Sequence, residues 1–314
     1  MEKETAQTVL TPSLLENQTV GQLPEDWIVN IKNIVITRDF GQKLILDVEL
    51  ENSTGISALD ALKNGADVET AYGGGFVNGI NGVRSEYSGT GGSQEDWFFY
   101  VNGVMANVGS GGYMLREGDV EHWDYHNWNY YPPTATVGFF PEPFLHGYNG
   151  KVCETVVLYE DGLAEDAELV KGILTRSGVK DISILRVDEL TEDVRSTSNL
   201  IVLGTMNSTM ISELNELRDK LGFYVYFEED RMVILNAEGE VARNCTSGGV
   251  IQATQSPWNP KGSRACENVV WMVAGVDEEG VKSAVKLLTE KYDELQYAFA
   301  VAVVDGQVCR VPIC

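Results

Sequence analysis

Apolar and polar positions alternate along residues 28–40 and 43–51, and the two runs flank Gly41. A period of two is a strand signal, so the pair predicts a β-hairpin. Ser57 then stands as an N-cap, with Asp60 three residues on. It opens a short helix over 58–63 that Asn64-Gly65 ends. Alternation returns in WFFYV at 97–101. It sends Trp97, Phe99 and Val101 to one face and Phe98 and Tyr100 to the other. Asn102-Gly103 follows, a hairpin turn in which both residues take positive φ. Glu117-Gly118-Asp119 reads as a second turn, feeding a strand over 120–125. Strand, strand, helix and further strands is the order of an α+β, β-grasp-like domain over 27–126. One helix cannot cover both faces of such a sheet. One aromatic set is therefore core, and the other is an exposed patch or an interface.

From Lys151 the period changes. ETVVLYE, ISILRV, NLIVLGT and VVWMVAG are short, nearly continuous apolar strands. Helical spacing separates them. Leu163, Ala167, Val170, Ile173 and Leu174 run to Gly178. Met210, Leu214, Leu217 and Leu221 run to Gly222. Val281, Ala284, Val285 and Leu288 follow an Asp277 cap. FYVYFE and RMVILN pair around Glu229-Asp230, and a closing hairpin turns at Asp305-Gly306. The pattern predicts an α/β domain with a mostly parallel sheet over 151–314. Residues 127–150 hold four of the nine prolines and many aromatics, which predicts a linker or a packed arm. Residues 1–26 read as a flexible polar leader.

Composition narrows the function. At 314 residues the chain can build two cores. A formal net charge of −24 excludes nucleic acid and anionic membranes as partners, since both need Lys/Arg patches. Surface solubility is its plainest use. No apolar run reaches the roughly 18 residues of a membrane span. The polar start lacks the apolar core of a signal peptide, as a trimmed ectodomain or a cytoplasmic protein would. Sequons at Asn17, Asn52, Asn207 and Asn244 and five cysteines favour the outside. The pairings Cys245–Cys266, Cys309–Cys314 and Cys153–Cys309 stay open, as do buried free thiols. Hydrolase, metalloprotease and dinucleotide motifs are missing and there are three His in all, so no enzyme is expected.

The stretch WFFYVNGVMANVGSGGYMLREGD at 97–119 resembles the small C-terminal domain of the vertebrate cobalamin carriers, transcobalamin and intrinsic factor, and of related prokaryotic surface proteins. The resemblance implies an extracellular or cell-surface protein that holds cobalamin, a corrinoid, as ligand and not as catalytic cofactor. It also implies that the segment Tyr72–Asn78 lies against the corrin ring, with the loop after Asn102-Gly103 at its border. Glycine suits that task, because a flat macrocycle can approach backbone that lacks Cβ atoms. The carriers' large helical domain is missing, and the α/β half stands in its place. That half is similar to modules of prokaryotic cell-surface and S-layer-associated proteins through NLIVLGT, GGVIQATQSPWNP and VVWMVAGVDEEGVKSAVKLL.

The candidate ligand residues are Tyr72, Gly74, Gly75, Phe76, Val77 and Asn78, then Met105, Asn107, Val108, Ser110 and Tyr113, with His126 and Trp258 beyond them. Each has a plainer role. The glycines suit a bulge, and the aromatics suit a core. His122 and His126 lack further ligands for zinc and suit hydrogen-bonded positions. Trp258 stands to close a cleft or to pin a loop. The expected function is corrinoid capture in the cleft between two domains, for uptake or scavenging, beside a membrane transporter or a surface-layer protein. The other reading is a surface-layer or adhesion module that meets a protein or polysaccharide.

Overall fold

A computed structural model describes residues 34–49, 55–86 and 93–313. The expected leader over 1–26, together with Asn17, Asn52 and Cys314, lies outside them. The protein is a mixed α/β structure with several sheets and few helices. Its first half opens with β1 (Ile34–Arg38), β2 (Lys43–Val48), α1 (Ala58–Gly65), β3 (Val68–Ala71) and β4 (Phe76–Ile80). Then come β5 (Val83–Arg84), β6 (Glu95–Val101), β7 (Val104–Met105) and β8 (Glu121–Asn127). One sheet has the order β2-β1-β8-β6-β7, and β3-β4-β5 form a second, small one. β1 and β8 run parallel; the other pairs of the larger sheet are antiparallel.

Local chemistry explains the elements. Ser57 caps α1 by accepting from the Asp60 amide at 3.1 Å. Asn102 and Gly103 both hold positive φ, as the tight turn requires. α1 packs Leu59 and Leu62 with Ile34, Ile36, Trp97, Trp123 and Tyr125 on one face of the larger sheet. The opposite face carries Tyr100, His122, Asp124 and His126, all buried. The second half covers it: Phe40 and Tyr100 share a core with Tyr224 and Phe299. The second aromatic face is therefore an interface.

The second half contains β9 (Thr155–Tyr159), α2 (Ala164–Arg176), β10 (Ile182–Arg186), α3 (Glu192–Thr197), β11 (Asn199–Thr205), α4 (Thr209–Glu216) and α5 (Arg218–Leu221). Then follow β12 (Val225–Glu228), β13 (Arg231–Leu235), β14 (Val241–Cys245), β15 (Gly249–Gln255), β16 (Val269–Gly275), α6 (Glu278–Glu290), β17 (Ala300–Val304) and β18 (Gln307–Val311). Seven strands order as β10-β9-β11-β16-β15-β17-β18, and β12-β13-β14 form a separate sheet. The expectation of a mostly parallel sheet is corrected. β10–β9, β9–β11 and β11–β16 are parallel, whereas β16–β15, β15–β17 and β17–β18 are antiparallel. No helix crosses over between β15 and β16. The chain returns directly through residues 256–268, which forces the antiparallel pairing. The expected second helix breaks at Leu217 into α4 and α5.

Residues 127–150 are a packed arm. Phe139, Phe140 and Phe144 are buried, and the Tyr100 hydroxyl donates to the Pro133 carbonyl at 2.9 Å. Backbone meets backbone where the halves join. A Cβ on Gly41 would lie 1.8 Å from the Tyr297 carbonyl oxygen, and one on Gly138 would lie 2.4 Å from the Ala298 nitrogen. Cys153, Cys245, Cys266 and Cys309 are free thiols, so Cys245–Cys266 and Cys153–Cys309 are not bonded; Cys309–Cys314 lies outside the described residues. Asn207 and Asn244 are exposed. Among the described residues no helix is long and apolar enough to cross a membrane.

Candidate functional site

The glycine segment turns the chain from β3 into β4. Tyr72, Gly73 and Gly74 hold φ of 51°, 73° and 97°. Two successive glycines are needed there because a Cβ is strained in that region. The turn is open: nothing lies within 4 Å of a Cβ built on Gly73 or Gly74. Its side chains face out. Tyr72 is 91% exposed and Phe76 37%, with their rings 6.2 Å apart edge to face. Val108, 46% exposed, sits on the neighbouring loop. The two segments touch at their glycines, where a Cβ on Gly109 would lie 3.6 Å from the Gly75 carbonyl oxygen. Tyr72, Phe76 and Val108 are large apolar groups left in water, beside bare backbone, on two abutting loops.

The other expected residues divide. Asn78 is half-buried, and its carbonyl accepts from the Ser85 amide at 2.8 Å. Val77 is buried in the α1 core. Ser110 is buried inside its turn. Tyr113 is buried and donates to Asp119 at 3.1 Å, which holds the 116–119 turn. Asn107 points to the second half: its amide donates to the Ala265 carbonyl at 3.3 Å, and it accepts from the Tyr148 hydroxyl at 3.2 Å. Met105 gives its carbonyl to Gln255 and Cys266. Trp258 donates its indole N–H to Glu213 at 3.0 Å, and the Arg195 guanidinium lies 4.4 Å from its ring centre. It pins the α3–α4 junction.

His126 is corrected most sharply. It is fully buried, stacked between Phe40 at 4.3 Å and Phe98 at 4.2 Å, and its Nδ1 meets Asp124 at 2.6 Å. No ligand on the surface can reach it. His122, Asp124 and His126 occupy alternate positions of β8, so all three face the second half. Thr37 donates to Asp124 at 2.6 Å, and His122 Nε2 donates to Thr37 at 2.7 Å. The Phe40 and Gly41 amides complete the carboxylate's shell at 3.0 and 2.8 Å. Burial alone would raise the Asp124 pKa, but the His126 hydrogen bond, the two imidazoles and Thr37 outweigh it and hold it below its ordinary value. Burial lowers His122 to about 4 despite the Asp124 charge. Sequence spacing paired the two His but missed Asp124 between them as the centre of the group. Among the described residues no cluster of three or more His, Cys, Asp or Glu could hold a metal ion.

Residues 55–127 match the family model described as Domain of unknown function (DUF4430). The match takes in α1, the glycine turn and the strands to β8, and leaves out the second half. Among curated proteins none matches the chain.

Proposed function

We propose that the protein is a non-enzymatic binding protein of the cell surface, and that it takes a corrinoid against the rim formed by Tyr72, Phe76 and Val108. The observation that carries this reading is the open left-handed turn at Gly73-Gly74, flanked by exposed aromatic rings. Exposed backbone without Cβ atoms lets a flat ring lie close, and the side chains supply apolar cover. The strand order β2-β1-β8-β6-β7 with α1 across one face supports a β-grasp-like unit of the transcobalamin type. The ligand's place is the outer rim beside the Ala265–Glu267 loop, because the sheet face between the halves is filled by aromatic side chains.

Incubation with cobalamin followed by gel filtration tests this by visible absorbance of the protein peak. Co-elution is expected, and Phe76→Asp is expected to abolish it while leaving the melting temperature unchanged. A colourless peak with several corrinoids, and no heat on titration, overturns the reading. A second reading, an adhesion or surface-layer module that meets a protein or polysaccharide, is favoured by one observation. Tyr72, Phe76 and Val108 stand exposed around a turn with nothing within 4 Å of a Cβ on Gly73 or Gly74, so the rim offers an open surface of the kind a protein or polysaccharide meets.

A further inference from the structure

The seven-stranded sheet ends in β10 on one side and β18 on the other. The β18 end is covered. The Gln42 amide donates to the Pro312 carbonyl at 2.6 Å, and the Arg310 guanidinium to the Gly41 carbonyl at 3.0 Å. The Ile313 N–H donates to the Leu235 carbonyl at 3.1 Å. Among the described residues β10 pairs with β9 alone, in an unbroken register from Ile182 to Arg186. The Thr155 N–H donates to the Asp181 carbonyl at 2.8 Å, which fixes the parity of the strand. Asp181, Ser183 and Leu185 aim their backbone at β9, so Ile182, Ile184 and Arg186 aim theirs off the sheet. The Glu189 carboxylate takes the Arg186 N–H at 3.0 Å. The N–H and C=O of Ile182 and Ile184, and the Arg186 C=O, face outward. Natural edges are guarded by proline, lysine or a bulge, and residues 182–186 carry none of these.

We infer that β10 is a dimerisation edge, and that its occupant is β10 of a second copy of this chain, antiparallel across a two-fold axis at Ile184. Symmetry and parity leave few registers, because outward residues must face outward residues. A register centred on Ser183 sets Lys180 against Arg186, cation against cation. One centred on Ile184 sets Ile184 against Ile184, Ile182 against the Arg186 stem, and Lys180 against Asp188. Lys180 and Asp188 are exposed and opposite in sign, and the axis makes the pair twice. The two Ile184 residues exchange a pair of backbone bonds, and each Ile182 N–H meets an Arg186 carbonyl. Residues 182–185 are half-buried in each copy, so pairing also covers apolar side chains. A net charge of −24 opposes self-association in general, yet this edge is balanced, with Lys180 and Arg186 against Asp181 and Asp188. Two sheets become one continuous sheet. The inference needs neither the rim nor its ligand.

Sedimentation of the full chain over a concentration series, with hydrogen exchange alongside, decides it. A dimer is expected, and the Ile182 and Ile184 amides should gain protection as concentration rises. Lys180→Asp and Asp188→Lys each set like charges across the axis, and each should weaken association about tenfold at low salt. Both positions are exposed, so neither change enters a core. The double variant Lys180→Asp/Asp188→Lys restores opposite signs and should recover the dimer, which damage to the fold would not allow. A monomer at every concentration overturns the inference. So does a dimer that neither single variant weakens and whose Ile182 and Ile184 amides stay unprotected.

Discussion

Glu121 and Asp124 stand three residues apart on β8, both buried, and the protein treats them oppositely. Glu121 faces the α1 core. Its Oε1 accepts from the Trp123 indole at 2.6 Å, and its Oε2 finds no hydrogen-bond partner among the described residues. Burial raises it to about 8 against that single donor. Asp124 faces the second half and accepts from Thr37, Phe40, Gly41 and His126. It is held as a carboxylate. Depth is the same on both faces; the number of donors decides the charge.

The comparison can be broken most severely at Asp124. Asp124→Ala strands four donors and should cost about 5 kcal/mol, measured by denaturant unfolding. A cost near 1 kcal/mol would show that the network is not a unit. Glu121→Gln tests the other face. A raised acid stabilises below its unfolded pKa, and that stability is lost as pH rises through the folded pKa. The wild type should therefore weaken from about pH 4.5 to about pH 8, and Glu121→Gln should remove that loss, a gain of about 4 kcal/mol at pH 8. His122 supplies the opposite limb. The unfolded imidazole takes its proton near pH 6.5 and the buried one near 4, so stability falls by about 3 kcal/mol as pH drops across that window. The two windows overlap from about pH 4.5 to 6.5, where the opposite slopes cancel, so wild-type urea midpoints should be nearly flat there and fall above it; in Glu121→Gln the acid limb stands alone, and adding His122→Gln should flatten it. The smallest effect is Ser57→Ala. Loss of the α1 cap should cost about 1 kcal/mol at neutral pH.

Much of this was legible where the signal is local. Ser57, Asn102-Gly103, Asp277 and Asp305-Gly306 each carry their turn or cap chemistry within four residues, and each stands where the pattern put it. The alternation through Trp97–Val101 predicted two apolar faces. It could not say that Tyr224 and Phe299 cover the second. Strand direction was illegible for a physical reason: a strand buried on both faces, such as β15, reads the same in a parallel or an antiparallel neighbourhood. The turn at Gly73-Gly74 was legible from its own glycines, while the surroundings of Val77, Tyr113 and His126 depend on partners that no spacing reveals. Thr37 lies 85 positions from His122, and Met105 lies 161 from Cys266.

At Gly41 and Gly138 the main chain of one half rests on the main chain of the other, at Tyr297 and Ala298. Side chains can repack around a loosened joint; two backbones in contact cannot. The halves are therefore expected to melt together, as a single calorimetric transition, and a cut within residues 127–150 to expose the Phe40–Tyr100–Tyr224–Phe299 cluster on both fragments.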